Sequence, residues 1–139
     1  HKGAQGELIF APSIKEQGDT WDWSKKVEIR TDGTIKQATD TNWTTLKITG
    51  VENVPDRPLK YKKIGGLVTV MGSIRKTKNE TIFATLPEGF RPPQDVAFSV
   101  VVVSGSTTAA EFTIQKGGGL FVNGVPANAT CHLVGSYLV

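Results

Sequence analysis

Catalysis and metal binding need nucleophiles, bases or ligands at fixed spacings, and this 139-residue chain is sparing of them, with two histidines and one cysteine. His132 lies inside the apolar run Ala129–Val134, where it reads as a partly buried, hydrogen-bonded residue rather than a general base. Cys131 beside it reads as a small buried hydrophobe, and a lone cysteine forms neither an intrachain disulfide nor a cysteine-based zinc site. Glu52 with Asp56, and Glu88 with Asp95, have the residue types of a glycosidase pair. All four sit in Pro-containing turns, where acidic residues serve turn geometry. Gly117-Gly-Gly119 has the composition of a phosphate cradle, but between two strand patterns it reads as a hairpin turn. Nucleophile-elbow, zinc-protease, P-loop and EF-hand patterns are absent. The expectation is a non-enzyme with no catalytic residue, no cofactor and no metal.

Elements must position whatever the chain does, and the composition says which kind. There are 14 Val, 9 Ile and 16 Thr against 9 Ala, 8 Leu and 7 Glu, a balance that favours strands over helices. No apolar run approaches the roughly 18 residues of a membrane span, so no membrane insertion is expected. The net charge of +3 is mild, and no RNP strand, G-x-x-G clamp or zinc pattern accompanies the lysines, so nucleic acid is not expected as a partner.

Period-two alternation recurs along the chain. It predicts strands over Val27–Thr31 and Thr34–Ala38, joined by an Asp32-Gly33 type I′ turn. Further strands are expected at Thr44–Ile48, Gly66–Ile74, Thr81–Thr85, Val96–Val103, Glu111–Gln115, Leu120–Val122 and Thr130–Leu138. Turn signals fall between them, at Pro55 and Pro58, Pro87-Glu-Gly89, Ser104-Gly-Ser106 and Asn123-Gly124. Many short strands so punctuated predict an all-β, antiparallel β-sandwich or jelly-roll-like domain. Residues 1–40 are more polar and are read as an N-terminal strand and hairpin segment, a neck or docking region; residues 41–139 are read as the β-sandwich head.

The run Tyr61-Lys-Lys-Ile-Gly-Gly-Leu-Val-Thr-Val-Met-Gly-Ser-Ile74, followed by Thr81-Ile-Phe-Ala-Thr-Leu-Pro-Glu-Gly-Phe-Arg-Pro-Pro93, resembles the C-terminal head domains of receptor-binding and baseplate (tail-fibre) proteins from tailed phages of Gram-positive bacteria. Trp43-Thr-Thr-Leu46 is similar to the opening of such domains, and Glu111–Val139 to their end. The resemblance implies a homotrimer at the virion tail tip or baseplate, in contact with other tail proteins. It implies binding, without a cofactor, to a host cell-wall polysaccharide or teichoic-acid-like glycan during adsorption. The alternative is a structural baseplate or tail-fibre component that holds protein neighbours and binds no glycan.

Sugar recognition uses aromatic platforms and planar polar groups. On that reading Trp43, Tyr61, Arg91, Asn128 and His132 are the candidate saccharide-binding residues. Arg91 has a second reading, a hydrogen bond to loop carbonyls, and Trp43 beside Leu46 has one as core. Trp21, Trp23, Val27, Ile29 and Ile35 are the candidate oligomer interface, because a two-stranded hairpin is marginal alone in water; Trp21 and Trp23, which flank Asp22, have a second reading as a sugar platform.

Overall fold

The computed structural model describes all residues 1–139 and divides into two compact units, His1–Thr41 and Asn42–Val139. Its elements are strands, apart from one turn of 3-10 helix at Trp23–Lys25. No helix is long and apolar enough to cross a membrane.

The first unit is a three-stranded antiparallel sheet of β1 (Leu8–Phe10), β2 (Val27–Ile29) and β3 (Ile35–Lys36). β2 and β3 meet at Asp32-Gly33 as expected, but only Gly33 has a positive φ, +85°. Arg30 N–H donates to the Thr34 carbonyl at 2.8 Å, so the loop spans three residues with glycine in the left-handed position, rather than a two-residue type I′ turn. The Asp32 carboxylate explains the preference, since it accepts from both the backbone N–H and the hydroxyl of Thr34. The strand that accompanies the hairpin in this segment is β1, whose place no alternation in Leu-Ile-Phe marks. Pairing with β2 creates it: Leu8 faces Ile29 and Phe10 faces Val27, while Ile29 also faces Ile35.

The second unit is an antiparallel β-sandwich. Along the hydrogen-bonded path its strands are β4 (Thr44–Thr45), β6 (Lys60–Ile64), β7 (Leu67–Arg75), β12 (Thr130–Leu138), β9 (Val96–Ser104), β10 (Ser106–Ile114), β11 (Gly119–Asn123) and β8 (Ala84–Thr85). β5 (Glu52–Asn53) pairs with the far end of β7. The path folds into two layers because β12 runs the length of β7 but joins β9 only over Thr130–His132. Inward residues of β7 and β12 (Val68, Val70, Ile74, Cys131, Leu133, Tyr137) share one core with Val100, Val102, Phe112, Ile114, Leu120 and Val122.

Two glycines serve the junctions. A Cβ on Gly135 would lie 2.7 Å from the Phe98 ring, so glycine lets that ring pack on the β12 backbone. A Cβ on Gly72 would lie 2.5 Å from Leu59 Cα, so Gly72 admits the backbone that leads into β6.

Candidate functional site: a cleft where two strands part

β12 and β9 separate beyond the His132–Val101 pair, and a cleft of about 510 Å³ opens on the outer face at that point. Val100, Val101, Leu133 and Val134 give it apolar walls, and Met71 belongs to its floor. Its polar groups are Asp56, Arg57, Lys60, Ser73, Ser99 and His132.

The segment from Val54 to Pro58 builds one rim. Its two prolines restrict the chain, Asp56 takes φ +64°, and Arg57 N–H donates to the Val54 carbonyl at 3.0 Å. Ser73 clips the loop to β7 on both sides: its N–H donates to Arg57 O and its carbonyl accepts from Val54 N–H, each at 2.9 Å. Asn53 adds a third tie, its side-chain oxygen accepting from Leu59 N–H at 3.0 Å. Arg57 is therefore presented by a fixed backbone.

Ser73 and His132 are direct cross-strand neighbours, and the Ser73 hydroxyl lies 2.8 Å from His132 Nδ1. The Arg57 guanidinium stands 3.5 Å from the same nitrogen. A guanidinium only donates, so both contacts are satisfied together when Nδ1 accepts and the neutral ring carries its proton on Nε2. This is not the geometry of a hydrolytic dyad. Ser73 is only 4% exposed, and the second group at Nδ1 is the Arg57 cation, on the same ring nitrogen as Ser73 rather than a carboxylate on the opposite one.

Trp43 is joined to the cleft through Lys60. It is 41% exposed, with Lys60 Nζ 5.0 Å and Lys62 Nζ 5.8 Å from its ring centroid. Lys60 and Lys62 alternate onto the outer face because their register partners, Met71 and Thr69, point there. Cation–π contacts at such exposed positions contribute about 0.5–1 kcal/mol each. The result is an indole beside a cationic, apolar-walled cleft, suited to stacking a sugar ring and pairing an anionic substituent.

The structure thus brings His132 and Trp43 to one side of the sandwich, and it does not bring the other three candidates there. Tyr61 points inward, its ring edge-on to Phe90 at 4.9 Å. Arg91 Nε donates to the Leu86 carbonyl at 2.8 Å, the loop-carbonyl role that its turn context suggests. Asn128 occupies an exposed turn before β12 with φ +60°. Tyr61 and Arg91 belong instead to the support of the Leu86–Pro93 turn, with the Tyr137 hydroxyl donating to Phe90 O and Lys63 Nζ to Gly89 O. Sequence reasoning missed Arg57 and Ser73. The available signal was a charged pair, Asp56-Arg57, bracketed by Pro55 and Pro58.

In the first unit, Phe10, Trp21 and Trp23 surround a hollow of about 270 Å³ over Ile9. Leu8, Phe10, Val27, Ile29 and Ile35 share one face of the sheet by register, and Leu8, Phe10, Ile29 and Ile35 are exposed on it. The Trp21 backbone is held in a bridge to Ser13, and Asp22 caps the turn that carries Trp23.

Fold and cleft define a class: an antiparallel β-sandwich with a cationic cleft on the outside of one layer. Residues 37–139 match the model of the YomR C-terminal beta sandwich domain, and the chain belongs to that family. It is 28% identical over 96 residues to the SPbeta prophage-derived uncharacterized protein YomR of Bacillus subtilis (strain 168), a match covering 69% of this chain and 23% of that protein. The chain therefore spans about a quarter of that relative's length. Among solved structures it is similar to the head domain of phage bIL170, described with the receptor binding domains of lactococcal phages. That likeness has a TM-score of 0.53 at 22% identity over 72% of this chain and 99% of the other, and it shows a shared fold.

Proposed function

We propose that this chain is the receptor-binding head of a phage tail, which binds host cell-wall saccharide during adsorption and does so without catalysis. The observation that carries the reading is the outer-face cleft, where the cations Lys60 and Arg57 stand beside apolar walls and Lys60 links the cleft to the neighbouring Trp43 indole. Membership of a family that includes a prophage protein, and a fold shared with a phage receptor-binding head, support it. The cations favour a glycan that bears negative charge, such as a phosphodiester-linked wall polymer.

The same reading includes a homotrimer at the tail tip. Leu8, Phe10, Val27, Ile29 and Ile35 supply an apolar sheet face for three necks to bury, and three heads on one axis raise the avidity of a weak sugar site. Sedimentation of the chain as a stable monomer at micromolar concentration would count against the trimer.

Co-sedimentation with purified walls of Bacillus and other Gram-positive cells tests the binding. Retention of the wild type, and its loss in Arg57→Ser/Lys60→Ser with the fold intact, is the expected result. Failure to bind any wall preparation would favour a scaffolding role in the tail.

A further inference from the structure

The cleft does not end at β9. Ser99, on its wall, also belongs to a second, shallower trough of about 380 Å³ that crosses β9 and β10 beside Ala97, Ala109 and Glu111. Register explains the continuity. His132 pairs with Val101, and Val101 with Ala109, so the row starting at Ser73 runs across four strands without a change of face. Ser99 pairs directly with Glu111, which places a carboxylate at the far end of the path. That carboxylate is partly committed, one oxygen accepting from the Thr113 hydroxyl at 2.6 Å. The path therefore has a net positive end, where the cations Arg57 and Lys60 outnumber the Asp56 carboxylate, neutral hydroxyl and methyl groups in the middle, and an acid at the other end.

We infer that cleft and trough form one groove that takes a phosphate-bearing wall glycan lengthwise, so that the protein reads an internal stretch of several repeats rather than a chain end. The inference rests on the proposed saccharide-binding function and adds the direction and extent of the ligand. A phosphodiester pairs with Arg57 and Lys60 in the cleft. The following units lie over Ser99 and Ala109. Glu111 accepts hydrogen bonds from hydroxyl or ammonium groups of the last of them. A site for one terminal sugar would need neither the continuity past Ser99 nor the opposed charges at its ends.

The test is calorimetric titration of the full chain with the phosphate-bearing polymer purified from Bacillus walls, intact and cut to one, three and six repeats. Affinity is expected to rise at least tenfold from one repeat to six. Ala109→Trp and, independently, Ala97→Trp fill the trough from exposed positions; each is expected to abolish that gain while leaving single-repeat affinity unchanged. Equal affinity for one and six repeats, or six-repeat binding unaffected by both substitutions in folded protein, overturns the inference and leaves the saccharide-binding reading standing. No binding at any length overturns the inference, and joined to failure to bind any wall preparation it overturns both.

Discussion

Gly72 is where the fold builds the rim of the cleft, and Gly72→Ala measures how tightly. The added Cβ would lie 2.5 Å from Leu59 Cα and 2.8 Å from both Leu59 N and Pro58 O. Every one of these is a backbone atom, so no side chain can swing away, and van der Waals contact is restored only if Pro58–Leu59 moves by about 1 Å. Overpacking of this kind costs about 1–3 kcal/mol. The backbone at φ +154° adds about 1–3 kcal/mol for a residue that carries a side chain. Together these come to roughly 2–6 kcal/mol, a large fraction of the 5–15 kcal/mol that holds a typical domain. Urea denaturation followed by circular dichroism reads the loss directly. Gly50→Ala is the control, because Gly50 also has a positive φ, +78°, but has nothing within 4 Å of the new Cβ. It isolates the backbone contribution, about 1 kcal/mol. If Gly72→Ala costs no more than Gly50→Ala, Leu59 does not approach the β7 backbone closely enough for Gly72 to be required there.

Three further outcomes follow from the same packing. Arg91→Ala removes the donor to the Leu86 carbonyl and is expected to cost about 1–3 kcal/mol in thermal or chemical denaturation, with Arg91→Lys failing to restore it. Burial raises the Tyr137 phenol well above its ordinary value of 10, so above pH 10 the unfolded chain releases a proton that the folded one keeps. The stability present at neutral pH should therefore be lost progressively as the pH rises past about 10, less steeply in Tyr137→Phe, as measured by denaturation midpoints from pH 8 to 11. Cys131 is fully buried and its thiol is pushed up by burial, so alkylation at pH 8 should be negligible in the native protein and complete in urea. Rapid native labelling would contradict its place in the core.

How much of this was legible in the sequence varies by element and has physical reasons. β7, β9 and β12 carry long period-two patterns of Val, Ile and Leu, so their existence and extents are readable within a residue or two. The first half of β10, Ser106–Ala110, has small residues without apolar alternation, despite the strand preference of Thr107 and Thr108. It is a strand because β9 supplies its ladder, and the pattern stops short of it at Glu111. Thr44–Ile48 and Thr81–Thr85 shrink to two-residue strands, since regular ladder pairing extends only over Thr44–Thr45 and Ala84–Thr85, while Leu46 and Phe83 make isolated backbone bonds beyond it. The Leu-Pro-Glu-Gly-Phe-Arg turn is readable as a rigid connection, and Arg91 fills the structural role that its context suggests.

The site is less legible, because no local pattern marks where two strands part. Trp43 and His132 are identifiable as residue types, but their common side depends on the register of β4, β6, β7, β12 and β9. Tyr61 looks equivalent to Trp43 in sequence, yet one position of alternation turns its ring inward onto Phe90. Arg57 gains its place from backbone bonds to Ser73, 16 residues further along the chain, which no spacing rule anticipates.

A crystal structure of the chain soaked with short oligosaccharides from phosphate-bearing Bacillus wall polymer tests the central claim most directly. The account expects a sugar in the outer-face cleft, its charged substituent within hydrogen-bonding distance of Arg57 or Lys60 and a ring against Trp43. A saccharide bound elsewhere, at the Asn128 turn or in the hollow beside Trp21 and Trp23, with the cleft empty, would contradict it.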